Sequence, residues 1–162
     1  MIRVVPFLGY LLLLAAHVVI TRDVTMIYGV TINLAVLMVL LVALYKSEFV
    51  TLWFGFACGI VSAAGSPATV GWQAMLLAGI GMAGYHFRQR INLDSLYSRL
   101  LLVTLGVLVH CLLGVLLDDI GSWWYRALTV AVPSTIYTAA VAWLYFLFKD
   151  ERITLEKVRS IF

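Results

Sequence analysis

Charge is what this sequence has least of. Only 12% of its 162 residues are Asp, Glu, Lys or Arg, where soluble domains carry about a quarter. Meanwhile 64% of the chain is hydrophobic. A water-soluble fold of this size has no interior large enough to hide so much apolar side chain, so lipid is the expected solvent for most of it. Segments that alternate apolar and polar residues are missing, which argues against a transmembrane β-barrel and leaves a bundle of helices. Cysteine is scarce. Cys58 and Cys111 both fall inside apolar segments with no metal-ligand partner at finger spacing, and they read as small apolar packing residues. The net charge of +3 is small. It reflects where basic residues sit about a membrane and gives no footprint for nucleic acid.

The usual signs of catalysis are absent too. The sequence has no HExxH, no GxSxG and no glycine-rich phosphate loop. Its acids are Asp23, Glu48, Asp94, Asp118, Asp119, Asp150, Glu151 and Glu156. All fall in connections, at segment ends or in the tail. None sits midway along an apolar segment, where a carboxylate would mark an ion path or proton relay. Asp118 and Asp119 lie beside Trp123 and Trp124 and read as a polar helix end followed by an interfacial aromatic belt. The expectation is a protein that is not an enzyme, with no catalytic residues, no cofactor and no metal.

What is present is a series of six apolar stretches, at about 4–20, 26–45, 49–64, 70–87, 98–117 and 127–148. Each is near the ~20 residues that cross ~30 Å of hydrocarbon, the third being short for a span. The first begins almost at Met1 and has no clear small-x-small cleavage site, so it reads as a retained helix. The connections are short, which makes successive helices antiparallel neighbours. The expected organisation is one all-α polytopic bundle of about six transmembrane helices over residues 1–148, then a short basic tail over 149–162. In that tail Leu155, Val158 and Phe162 are spaced to share a helical face. Six spans place Arg3, Lys46, Arg88, Arg90, Arg99, Lys149, Arg152, Lys157 and Arg159 on one side and only Arg22 and Arg126 on the other. The positive-inside rule makes the first side, with both termini, cytoplasmic.

Several residues inside the stretches carry more information than their apolar neighbours. Asn33, inside the second, must find a polar partner. His110 shares a face of the fifth with Gly106 and Gly114 and is expected to form an interhelical hydrogen bond. Gly55 and Gly59 form a GxxxG, and the fourth stretch has Gly79, Gly81 and Gly84. Both invite close helix packing, within the chain more readily than between chains. Pro133 is followed by Ser134, Thr135 and Thr138, whose hydroxyls can compensate for the backbone bond that proline removes.

The order Asn33, then Gly55-Phe56-x-x-Gly59, then Gly65-Ser66 and Val70-Gly71 resembles the rod-shape-determining protein MreD family. So do the length, the span count, the basic connection from Arg88 to Arg99 and the basic tail. The chain departs from the family pattern at Ile32, where proline is common, and at Ala63, where aspartate is common. The resemblance implies a scaffold in the bacterial cytoplasmic (inner) membrane for cell-wall elongation. Its implied partners are an MreC-like bitopic membrane protein, a RodA-type glycosyltransferase with its transpeptidase, and cytoskeletal MreB. Candidate contacts are Gly55, Gly59, Gly79, Gly84, Arg88 and Arg90. The family's fold resembles the substrate-binding membrane subunits of energy-coupling-factor transporters, and this kinship supplies the alternative, capture of a vitamin or metal. That role needs an outward pocket, for which Asn33, Trp72 and His110, with Tyr28, Trp123 and Trp124, are candidates.

Overall fold

A computed structural model describes residues 9, 12, 14–16, 32–63, 67–91, 95–118 and 123–149. Among these residues the chain is all-α, without a strand. Its helices are α1 (Leu34–Tyr45), α2 (Glu48–Ser62), α3 (Val70–Arg90), α4 (Leu96–Asp118) and α5 (Trp123–Lys149). A short 3₁₀ turn, Pro67–Thr69, leads into α3. The tail over 150–162 and most of the first apolar stretch lie outside the described residues.

The helices begin and end where local chemistry dictates. Ser47 is extended, and its carbonyl accepts both the backbone N–H and the hydroxyl of Thr51, at 3.0 Å each. Glu48 then places a negative charge at the positive end of α2. At the start of α4, the Ser95 hydroxyl accepts the N–H of Ser98 at 3.1 Å, an N-cap that starts the helix at Leu96. Arg88 and Arg90 occupy the last turn of α3, where positive charge complements the helix dipole. In α5 the five residues Ala127–Ala131 are π-helical. They lie just before Pro133, whose ring nitrogen cannot donate to the preceding turn.

α1 is the central helix. It is apolar on every side and almost wholly buried, as a helix hydrophobic all round must be. It touches α2, α3, α4 and α5. Val36, Val39 and Leu40 of α1 pack with Leu77 of α3, Val103 and Val107 of α4 and Phe146 of α5. Leu40 occupies the space that side chains at Gly84 and Gly106 would need, their Cβ positions lying 3.0 and 2.6 Å from its methyl carbons.

The most extensive interface joins α2 to α3, which run antiparallel. A Cβ at Gly55 would lie 2.9 Å from the Leu77 carbonyl oxygen. One at Gly59 would lie 2.6 Å from the Ala74 nitrogen and 2.7 Å from the Gln73 carbonyl oxygen. The glycine pair therefore meets α3 backbone, across from Ala74 and Ala78.

The cations at the helix ends gather at one end of the bundle. Arg88 donates to the carbonyls of Ala43 and Lys46 at 3.2 and 3.1 Å. The Lys149 ammonium sits 3.2 Å from the centroid of the Tyr45 ring, and the Arg99 guanidinium 5.9 Å from that of Phe146.

Two helices, Leu96–Leu117 and Trp123–Lys149, are long and apolar enough to cross a membrane. α1 and α2 are apolar but shorter. At 1.5 Å per residue they extend roughly 18 and 22 Å, less than the ~30 Å hydrocarbon layer. The second apolar stretch was expected to be helical from about residue 26. Asn33 instead stands at the N-terminal boundary of α1 with φ −89° and ψ 69°.

The glycine contacts generate a stability prediction. Gly59→Ala, which drives a methyl group into α3 backbone, is expected to cost about 1–3 kcal/mol as an overpacked substitution. Gly114→Ala points into open space and gains up to ~1 kcal/mol of helix propensity. Thermal unfolding in mild detergent should lower the midpoint for the first and hold or raise it for the second. Equal midpoints would mean that α2 and α3 are not in backbone contact.

Candidate functional site

The polar residues singled out in the sequence meet at the junction of α1, α4 and α5. The Asn33 backbone N–H, which an unassisted helix start leaves without a partner, donates to the Thr138 hydroxyl at 3.0 Å. That hydroxyl in turn donates to the Ser134 carbonyl at 2.7 Å. The Asn33 side-chain amide lies 2.8 Å from Nδ1 of His110. An amide nitrogen can only donate, so Nδ1 accepts. The same amide donates to the Cys111 thiol at 3.8 Å. One asparagine at the start of α1 thus ties that helix to two others that are distant from it in sequence.

The local structure of each helix explains the convergence. His110 and Cys111 are consecutive on α4, so their side chains fan out about 100° apart and both reach Asn33. Thr135 and Thr138 are three apart on α5 and share a face. The Thr135 hydroxyl donates to the Ala131 carbonyl at 2.7 Å and that of Thr129 to the Tyr125 carbonyl at 2.8 Å. Hydroxyls therefore bond backbone carbonyls on both sides of Pro133, although these bonds go to Tyr125, Ala131 and Ser134 and not to the carbonyl one turn before the proline that they were expected to serve. Ser134, Thr135 and Thr138 are all buried. Among the described residues no buried side-chain nitrogen or oxygen lacks a hydrogen-bond partner.

The cluster contains an amide, an imidazole, a thiol and hydroxyls, and no carboxylate. Its chemistry is that of a hydrogen-bonded tie. Among the described residues no three His, Cys, Asp or Glu side chains come together to hold a metal ion.

The other candidates separate by location. Gly55 and Gly59 are engaged against α3, and Gly84 against Leu40. Gly79 is exposed, with nothing within 4 Å of an added Cβ. Gly79 and Gly84 therefore do not form one face, because five residues of α-helix turn through about 500°, leaving them ~140° apart. Arg88 is committed within the chain to the last carbonyls of α1, whereas Arg90 is exposed. Trp72, in the opening turn of α3, is 46% exposed and is not a hydrogen-bonding member of the cluster. Trp123 and Trp124 stack on each other with ring centroids 4.2 Å apart. Tyr28 and Asp119 lie outside the described residues.

Cys111 is a member that sequence reasoning missed, having been assigned to apolar packing. Its position next to His110 was the available signal. Ala74 and Ala78, the surface that receives Gly55 and Gly59, were also missed. Their spacing of four on α3 repeats that of the glycines.

No known protein family, curated protein or solved structure matches this chain.

A double-mutant cycle tests the tie. Asn33→Ala and His110→Ala should each destabilise the detergent-solubilised protein. Their coupling energy is expected at ~0.6 kcal/mol and no more than ~1.7 kcal/mol, the mean and the maximum found for hydrogen bonds between membrane helices. Strict additivity of the two losses would dissolve the pair.

Proposed function

We propose that this chain is a non-enzymatic, multi-pass membrane scaffold of the peptidoglycan elongation machinery. It crosses the bacterial cytoplasmic membrane about six times with both termini inside, and it holds an MreC-like partner and the wall synthases by helix–helix contact. The resemblance to MreD supplies the process and the partners. The gathering of Arg88, Arg99 and Lys149 at one end of the bundle supports the orientation, since cytoplasmic ends collect Lys and Arg. Outward Leu101, Leu105 and Val109 on α4, and Leu128 and Ile136 on α5, form apolar surface that suits lipid.

The observation that carries the scaffold reading is the outer face of α3. Gly71, Gly79 and Ala83 lie along one line of the helix at steps of eight and four residues, with Met75 standing between the two glycines, and all are exposed. Neither Gly71 nor Gly79 has anything within 4 Å of an added Cβ. Gly79 and Ala83, small and four apart, let a second helix approach closely enough for backbone packing and weak hydrogen bonds, which contribute to the attraction between helices in lipid. The same device is already used inside the chain at Gly55 and Gly59. The copy on α3 is left open, and exposed Arg90 stands at its basic end.

The test is a mild-detergent pull-down of tagged wild type and Gly79→Leu. The variant has room for its side chain and should fold normally. Capture of an MreC-like protein should fall about tenfold, which corresponds to ~1.4 kcal/mol of binding. Undiminished capture would remove α3 as the docking face. Recovery of coupling-factor ATPases, or of one tightly bound vitamin, would replace the scaffold with a transporter subunit.

A further inference from the structure

Beside the polar cluster, α1 and α5 flank a partly open cavity of about 470 Å³. Its wall is apolar along most of its length, with Leu34, Leu37 and Leu41 on one side and Val141 on the other. One end differs. There Tyr45, at the end of α1, and Lys46, just beyond it, line the cavity together with Tyr145 and Lys149 of α5. The shape is that of an amphiphile, a long greasy slot closed at one end by positive charge.

Three features indicate what fits. First, Leu34 and Lys46 are twelve residues apart, so the slot runs roughly 18 Å along α1. This is close to the ~15 Å depth of one leaflet's hydrocarbon. Second, the Lys149 ammonium lies 3.2 Å from the centroid of the Tyr45 ring and 5.8 Å from that of Tyr145. Aromatic faces hold a cation in place without cancelling its charge, as a carboxylate would. Third, the cationic end coincides with the end where Arg88 caps α1, the interfacial end in the membrane placement proposed above. Basic pockets between helices at that depth recognise anionic lipid headgroups.

We propose that this cavity binds one anionic phospholipid, with its phosphate between Lys46 and Lys149 and one acyl chain lying along Leu41 and Val141. The proposal rests on the membrane placement and is independent of the protein partner. Lipid retention is measured on the isolated chain, so failure of the pull-down and failure of lipid binding are separate results.

The full chain, purified in mild detergent, is incubated with vesicles of equal phosphatidylglycerol and phosphatidylethanolamine and repurified. Native mass spectrometry then counts the lipids kept per chain. Wild type should keep one phosphatidylglycerol, preferred over phosphatidylethanolamine at least tenfold. Lys46→Gln with Lys149→Gln should lose that preference. Leu41→Trp, which fills the slot and leaves both charges, should lose retention altogether. Arg126→Gln removes a charge at the opposite end of α5 from Lys149 and should behave as wild type. Each variant's helix content and elution volume report whether it folds, and the single lysine variants replace the double one if it does not. A wild type that keeps no lipid or shows no headgroup preference overturns the proposal. So does a preference that survives either the lysine changes or Leu41→Trp.

Discussion

At Gly59 the backbones of α2 and α3 come so close that no side chain can stand between them, and the arrangement of the bundle follows from that approach. With Gly55 and Gly59 seated on Ala78 and Ala74, the rotation of α3 about its axis is settled. Gly81 and Gly84 then turn toward α1 and α2, where Val39, Thr51 and Leu40 fill the space they leave. Gly79 turns outward. Arg88, at the far end of the same helix, reaches the last carbonyls of α1. One close contact thus sets an interior seam, an outward-facing glycine and a cap.

The polar cluster complements this packing. Apolar surfaces alone specify helix neighbours loosely, because in lipid the tails are as apolar as leucine. Hydrogen bonds are directional. Asn33 can satisfy its backbone and side chain together only when α4 presents His110 and α5 presents Thr138 at the same level. The tie therefore selects a vertical register for three helices that ridge packing leaves free to slide. It also does so at the point where α1 begins and its first backbone donors need acceptors.

Much of this was legible in the sequence. The apolar runs gave the existence and approximate extent of α2 to α5, because continuous hydrophobicity of that length has few other outcomes. The need for Asn33 and His110 to find partners followed from the cost of burying a polar group. Their choice of each other did not, since nothing in a linear pattern states which helices meet. The Gly55 and Gly59 pair announced a close contact but not that two alanines would receive it. Gly79 and Gly84 were grouped because both are glycines on one helix, while helical geometry sends them to different sides. Asn33 was expected inside a helix. An amide side chain that can bond locally or across to a neighbour is equally at home at a helix start, and apolar flanks hide that boundary.

The π-helical segment of α5 has a consequence for how that helix relates to its neighbours. A π turn accommodates one residue more than an α turn, and one residue corresponds to about 100° of rotation. The insertion shifts the phase of everything that follows it, so the four-residue turn before Ala127–Ala131 and the 18-residue stretch after it are indexed independently. The turn bearing Trp123 and Trp124 can follow one set of surroundings, while the stretch bearing Thr135, Thr138 and Lys149 stays in step with α1. A single continuous rod thereby carries two angular settings, with the offset between them absorbed over five residues.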